Sequence, residues 1–313
     1  MSFEPARLVL AVLAGFATGC SAAPVAPPLA PLVPGGRVHA PRSESGARIV
    51  LEIAASDFRS GDSEFVRWCE RAVAAIEAYY GRFPLAAARI TVRSRAGRRV
   101  LFGQASASGI EMLVGRDAGR AAFDRDWMLV HEMVHLAMPN LPSEHRWLEE
   151  GSATYVEPIA RASAGQRTAE QVWREIVRDY GQGLPEAGDQ GLDRTPTWAR
   201  TYYGGALWCL VADVELRKAS GNRVGLRAAF AHAVARGGTI AAHWPLERYL
   251  SAADEVAGGR TLRDLHARHA LTPVAVDLEA LWRELGVRLL DGRVEFDDGA
   301  PLAAIRRAMV PER

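Results

Sequence analysis

The chain has 313 residues, 49% of them hydrophobic and 24% charged, with a formal net charge of +1. That length and apolar fraction suffice for a sizeable core, and the balance excludes a disordered chain. No basic excess points to nucleic acid as a partner.

At the N-terminus, Arg7 precedes an apolar run from Leu8 to Phe16, followed by Ala17-Thr18-Gly19-Cys20. A basic residue, a short apolar region and small residues at its end read as a secretory signal. The cysteine after Thr-Gly resembles a bacterial lipoprotein cleavage site, so residues 1–20 are expected to be the leader and Cys20 the lipidated residue. A plain secretory leader is the alternative. An exported, lipid-anchored protein of the bacterial cell envelope, facing the periplasm, is the corresponding expectation. Residues 21–45, rich in Pro, Ala, Gly and Ser, read as a flexible tether, and 46–313 as the globular part.

That part opens with a strand near Arg48–Ala54. A helix follows from Ser63 to Tyr80, with Phe65, Trp68, Cys69, Ala72, Val73, Ile76 and Tyr80 at helical spacing. Short β-like stretches come next at Arg89–Arg93 and Arg99–Phe102, then a strand over Gly103–Gly115. Helices are expected near 124–138, 146–161, 168–181, 197–219, 223–236, 261–270 and 277–286. The fold class is therefore α+β: a small mixed sheet with one helix (about 46–140), then a mainly helical lobe (about 141–313). Cys69 and Cys209 read as buried free thiols, with a single bridge between them as the alternative in an oxidising compartment.

The segment His131-Glu132-Met133-Val134-His135 carries the chemistry. Histidines four apart on a helix share one face and can grip one ion, while Glu132 sits to the side and can reach a water. Phe123, Trp127, Val130 and Val134 are expected to anchor this helix in the core. A catalytic zinc needs a third protein ligand and an open position. Glu150, in Trp147-Leu148-Glu149-Glu150-Gly151, can supply it if the next helix returns antiparallel. Glu157, seven residues on, can accept a hydrogen bond from a ligand imidazole. His145 is placed at the cleft rim. His232, His243, His266 and His269 have no metal spacing and read as surface or core histidines.

HEMVH followed by WLEEGSATYVE resembles the gluzincin metallopeptidases, the clan of thermolysin, aminopeptidase N and the glycyl aminopeptidases. The short spacer is similar to that of the small peptidase MA-like bacterial proteins. The resemblance implies a thermolysin-like catalytic domain, one zinc ion held by His131, His135 and Glu150, and Glu132 as general base. Thr201-Tyr202-Tyr203-Gly204-Gly205-Ala206 is similar to a helix of these aminopeptidases. It implies Tyr202, with Tyr203 as the competing choice, as hydrogen-bond donor to the oxyanion. The implied activity is peptide-bond hydrolysis on a peptide or protein substrate. Two alternatives remain at this point: another zinc-dependent amide hydrolysis, or an inactive binding module that keeps the fold.

Overall fold

The computed structural model describes residues 33–311. The leader, Cys20 and the first part of the tether lie outside the described residues. From residue 33 onward the expected tether belongs to the fold: its residues 37–39 form the first strand of the sheet.

The chain runs β1 (Arg37–His39), β2 (Arg48–Ile53), α1 (Asp62–Tyr80), β3 (Ala87–Arg95), β4 (Val100–Ser106) and β5 (Gly109–Gly115). Next come α2 (Arg120–Arg125), α3 (Met128–His135), α4 (Arg146–Ser163), α5 (Ala169–Asp179), α6 (Gly205–Ser220), α7 (Leu226–Ala235), α8 (Leu246–Asp254), α9 (Thr261–His269) and α10 (Leu278–Leu285). A hairpin of β6 (Val287–Leu290) and β7 (Arg293–Phe296) precedes α11 (Ala303–Met309).

The sheet has the order β1-β2-β3-β5-β4. Its pairs β2–β3 and β3–β5 are parallel, and β1–β2 and β4–β5 antiparallel. The expected α+β architecture is therefore what the chain adopts. Central strands β2 and β3 bury Leu51, Ile53, Ile90 and Val92 completely, as two-sided cover requires. Helix α1 presents Phe65, Cys69, Val73 and Ile76 to that core, all fully buried. Cys69 and Cys209 are both free and buried.

Two expected elements divide. Residues 103–115 form two strands rather than one, because the chain reverses at Ala107–Ser108. The signal for that turn is Ser106-Ala107-Ser108-Gly109, where the Ser106 hydroxyl bonds within the turn and Gly109 takes a φ of +135°, a short cluster inside an otherwise continuous alternation. The helix expected over 124–138 is two helices. Asp126 breaks it: its carboxylate accepts the N–H groups of Met128 and Leu129 at 3.2 and 3.1 Å and so starts α3 afresh. The same carboxylate accepts Trp68 Nε1–H at 2.9 Å, mooring the start of α3 to α1.

Helices α4 and α6 cross backbone to backbone. A Cβ on Gly205 would lie 2.0 Å from the Trp147 carbonyl oxygen, and one on Gly151 2.3 Å from the Gly205 carbonyl carbon. This contact sets α6, and the turn ahead of it, against the helix that carries Glu150. That turn, Arg200–Gly204, is a π-helix, a widened turn that shifts side-chain register and recurs at functional sites.

Candidate metal centre

His131 and His135 lie one turn apart on α3, their rings 5.1 Å apart and nearly perpendicular. The chain leaves α3 through a tighter turn, in which the Leu136, Ala137 and Met138 N–H groups each donate three residues back, passes Pro139 and re-enters helix at Arg146. Glu149 locks this connection by accepting the Leu141 N–H at 2.9 Å. Helix α4 then brings Glu150 Oε2 to 3.3 Å from His131 Nε2 and 3.5 Å from His135 Nε2. The ligand atoms of His131, His135 and Glu150 all lie within 4.8 Å of one another. Tetrahedral zinc with bonds of about 2.0–2.2 Å spaces its ligand atoms about 3.4 Å apart. The donor set and its spacing therefore fit zinc.

Electrostatics agree with that geometry. Burial works to raise the Glu150 pKa, but the imidazoles of His131 and His135 outweigh it and hold the carboxyl well below its usual range. Burial works to lower His135, and the Glu150 carboxylate reverses this, so its pKa is raised. Arg146, one turn before Glu150, reaches its other oxygen at 3.3 Å.

Glu132 is buried beside the histidines, and burial pushes its carboxyl above the usual carboxylate range. Its Oε2 accepts the Ala105 N–H at 2.8 Å. That amide belongs to β4, the edge strand, which fixes the carboxylate from the sheet side. A Cβ on Gly103 would lie 2.7 Å from Glu132 Cγ, so the strand can approach this closely only with glycine there.

Tyr202 stands in the π-turn, its ring stacked on His131 at 6.3 Å and 22°. Burial and the neighbouring Glu150 carboxylate push its hydroxyl up. It lines a cleft of about 530 Å³ with His131, Glu132, His135, Glu150 and strand residues Phe102 to Ala105. Tyr203 is not among the cleft-lining residues. It packs toward Tyr180 and Trp198, at 6.4 and 5.4 Å between ring centroids. Within the π-turn the two adjacent tyrosines, which the sequence leaves in competition, diverge as neighbours on a helix do, and Tyr202 is the one that faces the cleft.

Two expectations are corrected. Glu157 is buried, but its carboxylate pairs with Arg161 at 2.9 Å and makes no hydrogen bond to a ligand histidine. Seven residues carry it about 10 Å along α4 from Glu150, and Arg161 lies only one turn further. Burial pushes its carboxyl up to about 7. Trp127, expected in the core, is 48% exposed and meets His131 edge-on at the cleft wall. Because α3 begins at Met128, Trp127 precedes its first turn and does not follow its buried face. Gly103, Ala105 and Arg146 line the cleft beside these residues, contacts that sequence reasoning did not assign to them individually.

The remaining histidines divide. His232 pairs with Glu255 at 3.0 Å near the surface, His243 forms an isolated bridge to Asn140, and His269 is buried. His145, expected at the cleft rim but not among the cleft-lining residues, and His266, read as a surface or core histidine, converge on Asp193.

No family model matches the chain, and no curated protein matches its sequence. Among solved structures it is similar to an aminopeptidase N family protein from Idiomarina loihiensis, with a TM-score of 0.59 at 15% identity. That match covers 80% of this chain and 49% of the other. It is also similar to an M1 zinc metallopeptidase from Deinococcus radiodurans, with a TM-score of 0.46 at 16% identity, over 77% of this chain and 54% of the other. The chain thus spans about half the length of these structures. It has the gluzincin-like fold that its motifs imply.

Proposed function

We propose that this protein is a zinc metallopeptidase of gluzincin type, with His131, His135 and Glu150 as the metal ligands. The observation that carries this reading is the meeting, in one cleft, of a zinc-spaced donor set with a buried carboxylate and a tyrosine hydroxyl. When bound there, zinc supplies Lewis acidity, which acidifies water and polarises a carbonyl. The chain's own residues do the rest. Glu132, held by the Ala105 amide, takes a proton from the attacking water and delivers it to the leaving amine. Its raised pKa suits both halves of that transfer. Tyr202 donates a hydrogen bond from its hydroxyl to the oxygen on which charge builds. The free edge of β4 offers backbone groups to an extended peptide, which is bound by strand addition. Arg146 reaches the second oxygen of Glu150 and helps orient its carboxylate.

Peptide turnover by zinc-loaded protein tests the reading. The wild type should cleave members of a peptide library, and Glu132→Gln should keep its zinc and lose about 10²–10⁴-fold in rate. Full activity in that variant sinks the assignment. We further propose that the chain is exported and lipid-anchored at Cys20, on the strength of its leader sequence. Mass spectrometry of the mature N-terminus tests this, and an unmodified Cys20 retained in the chain contradicts it.

A further inference from the structure

Outside the cleft, a second group of metal-type donors comes together. His145, Asp193 and His266 each offer one ligand atom, and these atoms lie within 4.8 Å of one another. None of the three lines the catalytic cleft. His145 Nδ1 is 3.0 Å from Asp193 Oδ1, and His266 Nε2 is 3.4 Å from Asp193 Oδ2.

Each donor stands on a fixed support. His145 closes the turn that leads into α4. Asp193 lies in a loop whose Leu192 and Asp193 N–H groups donate to the carbonyls of His269 and Ala270, both at 3.0 Å. His266 is on α9. Trp147 Nε1–H donates to Asp193 Oδ1 at 2.7 Å, and the indole stacks on the His266 ring at 6.2 Å and 10°. Such outer contacts orient the ligands of metal sites.

A purely hydrogen-bonded cluster accounts for His145 and Trp147, which both reach Oδ1. His266 is held less well: its buried Nε2 faces Oδ2 at 3.4 Å, an ion-pair distance, without a well-directed hydrogen bond. A cation held between the two imidazoles and the carboxylate satisfies that nitrogen. We propose that His145, Asp193 and His266 form a second cation site, separate from the catalytic one. Two imidazoles and one carboxylate select a borderline divalent transition metal such as zinc over calcium or magnesium, which favour all-oxygen shells. A metal there ties the start of α4 to the 189–193 loop and α9. It thereby steadies the helix that carries Glu150 and stabilises the fold by an amount that grows with the logarithm of the free metal concentration over its Kd.

The test is metal stoichiometry on tag-free full-length chain, loaded with zinc, freed of excess by gel filtration and measured by elemental analysis. The wild type should hold two zinc ions. His266→Gln and Asp193→Asn should each hold one, as should His131→Gln, and the double variant His131→Gln/His266→Gln none. One ion in the wild type, unchanged in His266→Gln and lost in His131→Gln, overturns this site and leaves the catalytic one standing. One ion lost in His266→Gln and kept in His131→Gln supports this site and removes the catalytic one. The wild-type count stands even if a variant fails to fold.

Discussion

Gly103 on the edge strand and Glu132 on α3 touch so closely that a Cβ at residue 103 would lie 2.7 Å from Glu132 Cγ and 3.1 Å from its Oε1. The sheet edge and the proposed general base are thus one mechanical unit. Strand β4 holds the carboxylate through the Ala105 amide, and in the proposed function its remaining edge receives the peptide.

Gly103→Ala should therefore displace Glu132 while leaving the metal ligands alone. A misplacement of about 1 Å at a reacting group costs on the order of 10²-fold in rate. Steady-state kinetics on a cleavable peptide should show that loss in kcat, with zinc content unchanged. Wild-type kcat in this variant would show that the base is positioned by something else.

Tyr202→Phe should lower kcat by about 10²–10³-fold with little change in KM, because its hydroxyl acts when charge develops on the carbonyl oxygen. Tyr203→Phe, which alters a residue outside the cleft, should leave kcat near wild type. Equal losses in the two variants would remove the distinction between the cleft-facing tyrosine and its neighbour.

Gly205→Ala sets two effects of opposite sign against each other. Alanine gains about 1 kcal/mol over glycine in a helix interior. A Cβ 2.0 Å from the Trp147 carbonyl oxygen must instead push α4 and α6 apart, and overpacking costs about 1–3 kcal/mol or more. The obstructing atom is backbone, so the clash wins and the denaturant midpoint should fall. A stabilised variant would mean that the two helices are not held in backbone contact.

His269 gives the fold an acid limit. Burial lowers its pKa from 6.5 to about 4, helped by the charges of Arg268 and Arg200. As pH falls below 6.5 the unfolded chain binds a proton that the folded chain refuses, so unfolding is favoured. This contribution is fully present above pH 6.5 and declines as pH drops towards 4, by about 3 kcal/mol at most. Urea midpoints of wild type and His269→Gln at pH 7.5 and 4.5 measure it. The wild type should lose more stability over that range, and equal losses would assign the acid sensitivity elsewhere.

Much of this site is legible in the sequence because its chemistry is local. His131, Glu132 and His135 share one helical turn, and Glu150 follows after a short connection that forces the next helix back. Strand and helix positions follow from the buried faces of Leu51, Ile53, Phe65 and Ile76 in the same way. What the sequence hides depends on distant partners. The meaning of Gly103 appears only when β4 lies against α3. Tyr202 and Tyr203 are told apart only by which of them faces the cleft, Glu157 is captured by Arg161, and Asp126 interrupts an otherwise continuous helical pattern. His145 and His266 are 121 residues apart and have no spacing to read; Asp193 joins them through a loop pinned to the end of α9.

The central claim is that three side chains hold one zinc ion in the cleft. Anomalous diffraction at the zinc edge, from crystals of zinc-loaded protein, tests it most directly. The account predicts a peak about 2.0–2.2 Å from His131 Nε2, His135 Nε2 and a Glu150 carboxylate oxygen. A fully loaded crystal with no anomalous peak between those three residues would contradict it.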